Sequence, residues 1–211
     1  MIIDVFSDYL CPWCFIGERR LKRVLDELAV PVEVTFRAFQ LQPGLPPEGV
    51  ARADLLARRH GAGADPARVP SKVAEAAAED ALALDYSAMA RVPNTLAAHR
   101  LMAAAAELPQ DERWALADAL FAAYFQRGLD IGDETVLLEL AAPFEIGTAE
   151  TAIAGAAPYQ QRVERDLASA AEREVMGVPN LWFAGRFSLP GVQSPTTLKH
   201  FIERALLRLG D

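Results

Sequence analysis

The chain has 211 residues, 52% of them apolar, with 21 basic against 29 acidic side chains and a net charge of -8. That is enough apolar material for one domain, or one domain with a large insertion, and the acidic balance argues against nucleic acid or an anionic membrane as the main partner. No apolar run approaches the roughly 20 residues that span a bilayer. Met1 leads straight into an apolar segment, without the basic region, apolar stretch and small-residue cleavage site of a secretory signal, so the chain as given reads as cytoplasmic.

Ile2-Ile3-Asp4-Val5-Phe6 reads as a short buried strand. Ser7, Asp8 and Tyr9 turn the chain, and Cys11-Pro12-Trp13-Cys14 follows with the only two cysteines. From Gly17 the pattern is helical, with Leu21, Val24, Leu25 and Leu28 recurring at spacings of three and four. The pair therefore falls where a strand hands over to a helix N-terminus. Unpaired backbone N–H groups and the positive end of the helix dipole favour a thiolate there, and cysteines so placed have pKa values lowered to roughly 3.5–7.5. Pro12 suits the first helical turn, where its missing N–H costs nothing. Arg19-Arg20 with Lys22-Arg23 reads as a solvated face that also adds positive charge near the pair.

Val32 to Phe39 alternates apolar and polar residues and reads as a second strand, parallel to the first across a right-handed crossover. Gln40 to Pro47 breaks regular structure with Pro43, Gly44, Pro46 and Pro47. From Val50 to Gly155 the pattern offers no strand. Alanine and leucine predict helices over Ala51–His60, from a Ser71 cap to about Leu84, after an Asn94 cap, over Asp111–Gln126 with Gly128 closing it, from an Asp133 cap to Ala141, and briefly after Thr148. A longer helix starts at Pro158 and runs to about Val175. Leu181–Ala184 is a strand, Gly185-Arg186 a hairpin turn, and Phe187–Leu189 its return. Ser194-Pro195 caps a last helix with Leu198, Phe201, Ile202, Ala205, Leu206 and Leu209 on one face.

The two ends read βαβ and αββα, which outlines an α/β thioredoxin fold: a four-stranded sheet with helices on both faces. Residues 1–43 and 156–211 form the thioredoxin-like domain, and residues 44–155 form an inserted helical domain.

Three chemistries compete for the C-x-x-C. A zinc site wants about four ligands, and His60, His99 and His200 are scattered singly with no second cysteine pair. A structural crosslink over so short a loop restrains little chain entropy and is unusual in a reducing compartment. A redox-active dithiol suits a C-x-x-C beside a strand–helix–strand pattern. His99 can orient a thiol or be a hydrogen-bonded helix residue. Asn94 can bind or simply cap. Trp114, Tyr124 and Phe125 can form a substrate box or a core. Tyr9, Trp13 and Phe15 flank the dithiol, as an apolar rim or as packing between sheet and insertion.

Ser7-Asp8 followed by Cys11-Pro12-Trp13-Cys14-Phe15-Ile16-Gly17 resembles the signature of DsbA-like thioredoxin-fold oxidoreductases, in their cytoplasmic FrnE-type branch. Asn94-Thr95-Leu96-Ala97-Ala98-His99-Arg100-Leu101 resembles that branch's helical-domain motif. Gly177-Val178-Pro179 and Gly191-Val192-Gln193-Ser194 resemble its cis-proline loop and closing elements. The resemblance implies that Cys11 is an exposed nucleophile and Cys14 the buried resolving thiol, with Pro12 and Trp13 tuning the potential. It implies a cis peptide before Pro179, leaving the Val178 backbone free to pair with an extended substrate. Kappa-class glutathione transferases and 2-hydroxychromene-2-carboxylate isomerases are related, but typically carry serine at the first cysteine position.

The implied activity is thiol–disulfide exchange with proteins or small thiols. The redox-active disulfide serves in place of a bound cofactor or metal, and glutathione is a candidate co-substrate. A glutathione-dependent isomerase or transferase and a redox-gated binding protein are the alternatives. Substrate, direction, potential and oligomeric state stay open at this level.

Overall fold

The structure, a computed structural model, describes residues 1–28 and 32–210, with backbone alone for residues 209 and 210, so the Leu209 side chain lies outside the described residues. Strand β1 (Ile2–Ser7) leads into helix α1 (Pro12–Glu27) and strand β2 (Glu33–Ala38). Helix α8 (Ala157–Glu172), strands β5 (Asn180–Phe183) and β6 (Phe187–Pro190), and helix α9 (Pro195–Gly210) complete the sheet and its cover. The strand order is β2-β1-β5-β6, with β1 parallel to β2 and antiparallel to β5.

The period of two along β1 sorts its side chains between two covers. Ile3 and Val5 point to Leu21 and Val24 of α1 and to Leu198 and Ile202 of α9. Phe6 points the other way, onto Ala170 of α8. Asp4 is buried, and it is paired: its carboxylate takes Arg37 and Arg173 at 2.8 Å each. The outer edge of β2 is closed by side chains. Gln110 accepts from Val34 N–H at 2.7 Å and donates to the Val32 carbonyl at 3.1 Å, imitating a neighbouring strand. Asp166 of α8 accepts from Ala38 N–H further along.

Between β2 and α8 lie helices α2 (Arg52–His60), α3 (Ser71–Glu79), α4 (Leu96–Ala104), α5 (Gln110–Phe125), α6 (Glu134–Ala141) and α7 (Ala149–Ile153). Two departures from the sequence reading occur here. Val50–Ala51 (β3) and Arg91–Val92 (β4) pair antiparallel, where no strand was expected, because two residues are too few to show a periodicity. Helix α3 ends at Glu79 rather than near Leu84, and Pro70 rather than Ser71 holds its cap position. Asp133 caps α6 as its spacing predicts, accepting from Thr135 and Val136 N–H.

The aromatic face of α5 is core. Phe121 stacks on Phe15 with centroids 5.2 Å apart, Tyr124 packs edge-on to Phe125, and Trp114 meets Phe36 edge-on at 4.8 Å. The basic run of α1 is solvated only in part, with Arg23 exposed and Arg19 and Lys22 half-buried. Arg20 is buried against Asp80 at 2.5 Å, with Glu79 and two backbone carbonyls also accepting from it, and Arg19 holds Asp118 of α5. Acidic residues of the insertion neutralise this face of the helix.

Candidate active site

Helix α1 begins one residue after Cys11, which is its cap residue, so the cysteine pair belongs to the first turn and not to a loop ahead of it. The Cys11 carbonyl accepts from Cys14 N–H at 3.0 Å and Phe15 N–H at 3.3 Å, and Cys11 N–H donates to the Asp8 carbonyl at 2.9 Å. Pro12 stands in the first helical turn, and that turn carries no acidic residue. Cys11 and Cys14 approach to 3.5 Å as free thiols.

Both are buried. Cys11 is 4% exposed and Cys14 is fully enclosed, so the exposed position expected for Cys11 is corrected: the Val178 loop lies against it. The Cys11 thiol donates to the Val178 carbonyl at 3.4 Å, and the Val178–Pro179 peptide is cis. Gly17 lets that loop approach. A Cβ there would lie 3.1 Å from Pro179 Cγ and 3.5 Å from Val192 Cγ2.

Burial governs the chemistry of the Cys14 sulfur. Burial pushes the Cys14 thiol well above the ordinary cysteine range. The neighbouring Cys11 and Glu18 push the same way, while the Ser7 hydroxyl holds it partly back. One turn along α1, Glu18 is buried and accepts from Ser7 Oγ at 2.5 Å. Burial raises the Glu18 carboxyl to about 8; the Ser7 hydroxyl lowers it and Asp118 raises it. Sequence reading missed Ser7 and Glu18. The signal was available: Glu18 follows Cys14 by four residues, which puts both on one helix face.

The other expected residues fall in two places. Tyr9 and Phe15 are corrected: at 4% and 0% exposure they pack inside the core, with Phe121 against both, and form no substrate rim. Trp13 and Leu10 are the partly exposed apolar side chains of that stretch. His99 lies against the Tyr9 ring and donates from Nε2 to the Phe39 carbonyl at 2.9 Å, with Asp8 Oδ1 3.5 Å away. Asp8 itself is fully buried and accepts from Leu41 N–H at 2.7 Å. Asn94 accepts from Leu96 N–H at 3.0 Å at the head of α4, where Thr95 is the cap residue, and its amide donates to the Leu45 carbonyl at 2.8 Å. His99 and Asn94 thus hold the segment after β2 against the insertion. Tyr86, from the insertion, lies within electrostatic reach of Cys11; burial pushes its hydroxyl up to about 12, with Arg52 opposing. Among the described residues no group of three or more His, Cys, Asp or Glu could hold a metal ion.

The DSBA-like thioredoxin domain model matches residues 2–203. The chain belongs to the DSBA-like thioredoxin family. A probable DsbA oxidoreductase from Streptomyces coelicolor is similar at 26% identity, covering 98% of this chain and 90% of that one, with a TM-score of 0.79. The fold is shared with the cytosolic disulfide reductase DsbM from Pseudomonas aeruginosa, solved with GSH (17% identity, 98% and 99% of the chains, TM-score 0.69). It is also shared with a 2-hydroxychromene-2-carboxylate isomerase (16% identity, 99% and 96%, TM-score 0.62). No curated protein sequence matches the chain. Within this DSBA-like fold, no helix among the described residues is long and apolar enough to cross a membrane.

Proposed function

We propose that this DSBA-like protein is a thiol–disulfide oxidoreductase of the FrnE-type branch, working in a reducing cytoplasm on protein or small-molecule disulfides, with residues 44–155 as an inserted cap. The observation that carries the reading is the pair of free sulfurs, 3.5 Å apart at the head of α1, with Cys11 against the Val178 carbonyl. Sulfurs at that separation need only a small approach to bond.

In the reducing direction the Cys11 thiolate attacks a substrate disulfide, forming a mixed disulfide and expelling one substrate thiolate. Cys14 then attacks the Cys11 sulfur and expels the second. Two electrons pass to the substrate, and the enzyme is left with a Cys11–Cys14 disulfide. Cys14 must lose its proton in this step, and a buried thiol does not do so unaided. The proton passes to Ser7 Oγ while the Ser7 proton passes to Glu18 in the molecules whose Glu18 is ionised, a fraction that grows as pH rises toward about 8. The oxidising direction runs the same steps backwards. An extended substrate pairs with the backbone at Val178, and glutathione is a co-substrate that re-reduces the disulfide.

The test is insulin reduction driven by glutathione. Wild type turns over, Cys11→Ser does not, and Cys14→Ser accumulates a mixed disulfide. Turnover that survives Cys11→Ser overturns the reading. Glutathione-dependent isomerisation of a hydroxychromene that survives Cys14→Ser would transfer the protein to the isomerase class.

A further inference from the structure

Glu18 is buried, yet it forms part of the floor of a groove of about 640 Å³ between α1 and α5. Phe15, Phe121 and Trp114 supply apolar lining beside it. Arg19 crosses the groove, gripping Asp118 with two hydrogen bonds, Nε to Oδ1 at 2.6 Å and Nη2 to Oδ2 at 2.9 Å, while its guanidinium lies 4.7 Å from the Phe15 ring centre. Both ends of that pair are only part buried, at 38% and 42% side-chain exposure, so it is held by geometry rather than by a dry environment. The groove lies on the side of α1 that meets α5 of the insertion, and Val178 does not line it.

We propose that this groove is the proton port of the dithiol, and that the Arg19–Asp118 pair is the gate across it. The proposal rests on the Cys14–Ser7–Glu18 relay and goes beyond it, because it says where the proton leaves. Cys14 faces the substrate loop through its partner Cys11, so a proton leaving that way would cross the contact with the substrate. Passage through Ser7 and Glu18 delivers it to the groove that Glu18 lines, where solvent base collects it. The groups facing Glu18 are Ser7 and Tyr9 from β1 and its turn, Cys14, Arg19 and Lys22 from its own helix, and Asp118 from α5. Asp118 is the anion that disfavours ionised Glu18, and Arg19 is the cation that screens it. Arg19 and Asp118 are positioning residues, touching neither sulfur. Ser7 also borders a rival exit: a partly open cavity of about 30 Å³ lined by Ser7, Thr35, His99, Ala106 and Arg113, large enough for a water molecule.

Dicyclohexylcarbodiimide tests the port. Its central carbon takes the oxygen of a protonated carboxyl and its nitrogen takes the acid proton, leaving an acylurea that peptide mass mapping locates. Glu18 should label in wild type, lose labelling as pH rises through about 8, and not label in Glu18→Gln. Ala115, exposed on the groove wall, offers a plug. Ala115→Trp should slow labelling severalfold, with Ala115→Leu intermediate, and Arg19→Gln with Asp118→Asn should speed it at pH values well below about 8, where Glu18 stays protonated in every variant. Ala106→Val, which narrows the rival cavity, should change nothing. In the same variants the pH midpoint of mixed-disulfide resolution should fall in Asp118→Asn and vanish in Glu18→Gln. Equal labelling of wild type and both Ala115 variants overturns the port, as does slowing by Ala106→Val. Turnover that survives Cys11→Ser overturns the thiol–disulfide reading instead, whatever the labelling pattern.

Discussion

The sulfur of Cys11 touches the carbonyl oxygen of Val178 at 3.4 Å, across 167 positions of sequence. That contact joins the head of α1 to the loop before β5. The β1–β5 register, with Phe6 opposite Asn180, sets it up. Both residues lie at the same end of two adjacent strands.

Gly17 is the spacer that permits this contact. In Gly17→Ala the new methyl meets Pro179 Cγ at 3.1 Å. Overpacking costs about 1–3 kcal/mol, and removing a helical glycine returns about 1 kcal/mol. The melting temperature should fall only slightly, while insulin turnover should drop severalfold because the Val178 carbonyl shifts relative to Cys11. Unchanged turnover would show that the Pro179 loop is not set by this packing.

Glu18 predicts a pH-dependent stability of known sign. Its folded value, about 8, lies above that of an exposed glutamate, about 4.3. Between those values the folded state holds a proton that the unfolded chain has released. Stability therefore falls as pH rises through this window, by up to a few kcal/mol in total. Thermal melts from pH 5 to pH 9 should show wild type losing stability relative to Glu18→Gln, with the difference smallest at the acid end. Parallel curves would place Glu18 in water.

Asp80 predicts a stability effect far from the sulfurs. It is buried with Arg20, which also donates to the carbonyl of Gln193, next to Val192, whose side chain lies over Gly17. Asp80→Ala leaves a buried guanidinium with weaker partners and should cost about 3–5 kcal/mol in a denaturant titration. A loss under about 1 kcal/mol would mean that Glu79 replaces it at the surface.

Most of the sheet and the position of the dithiol were legible in the sequence because they rest on short-range signals. The β-branched run of β1, the 3–4 spacing of α1, the Gly185 turn and the Ser194-Pro195 cap each declare themselves within a few residues. What was not legible depended on partners distant in sequence. Arg20 looks solvated until Asp80 arrives 60 positions later. Tyr9 and Phe15 look like a rim until Phe121 covers them. The pairing of Val50 with Val92 spans 42 positions and two residues, which leaves no local pattern. Glu18 was hidden by its own chemistry: a glutamate on a helix reads as solvated until burial and Ser7 are seen together.

The central claim is that Cys11 receives the substrate sulfur and Cys14 resolves it. Mass analysis of the reduced protein during reaction with oxidised glutathione tests it most directly. The account predicts a transient glutathione adduct on Cys11 that converts to a Cys11–Cys14 disulfide, a lasting adduct on Cys11 in Cys14→Ser, and none in Cys11→Ser. A lasting adduct on Cys14 in Cys11→Ser, or failure of wild type to close the disulfide, would contradict it.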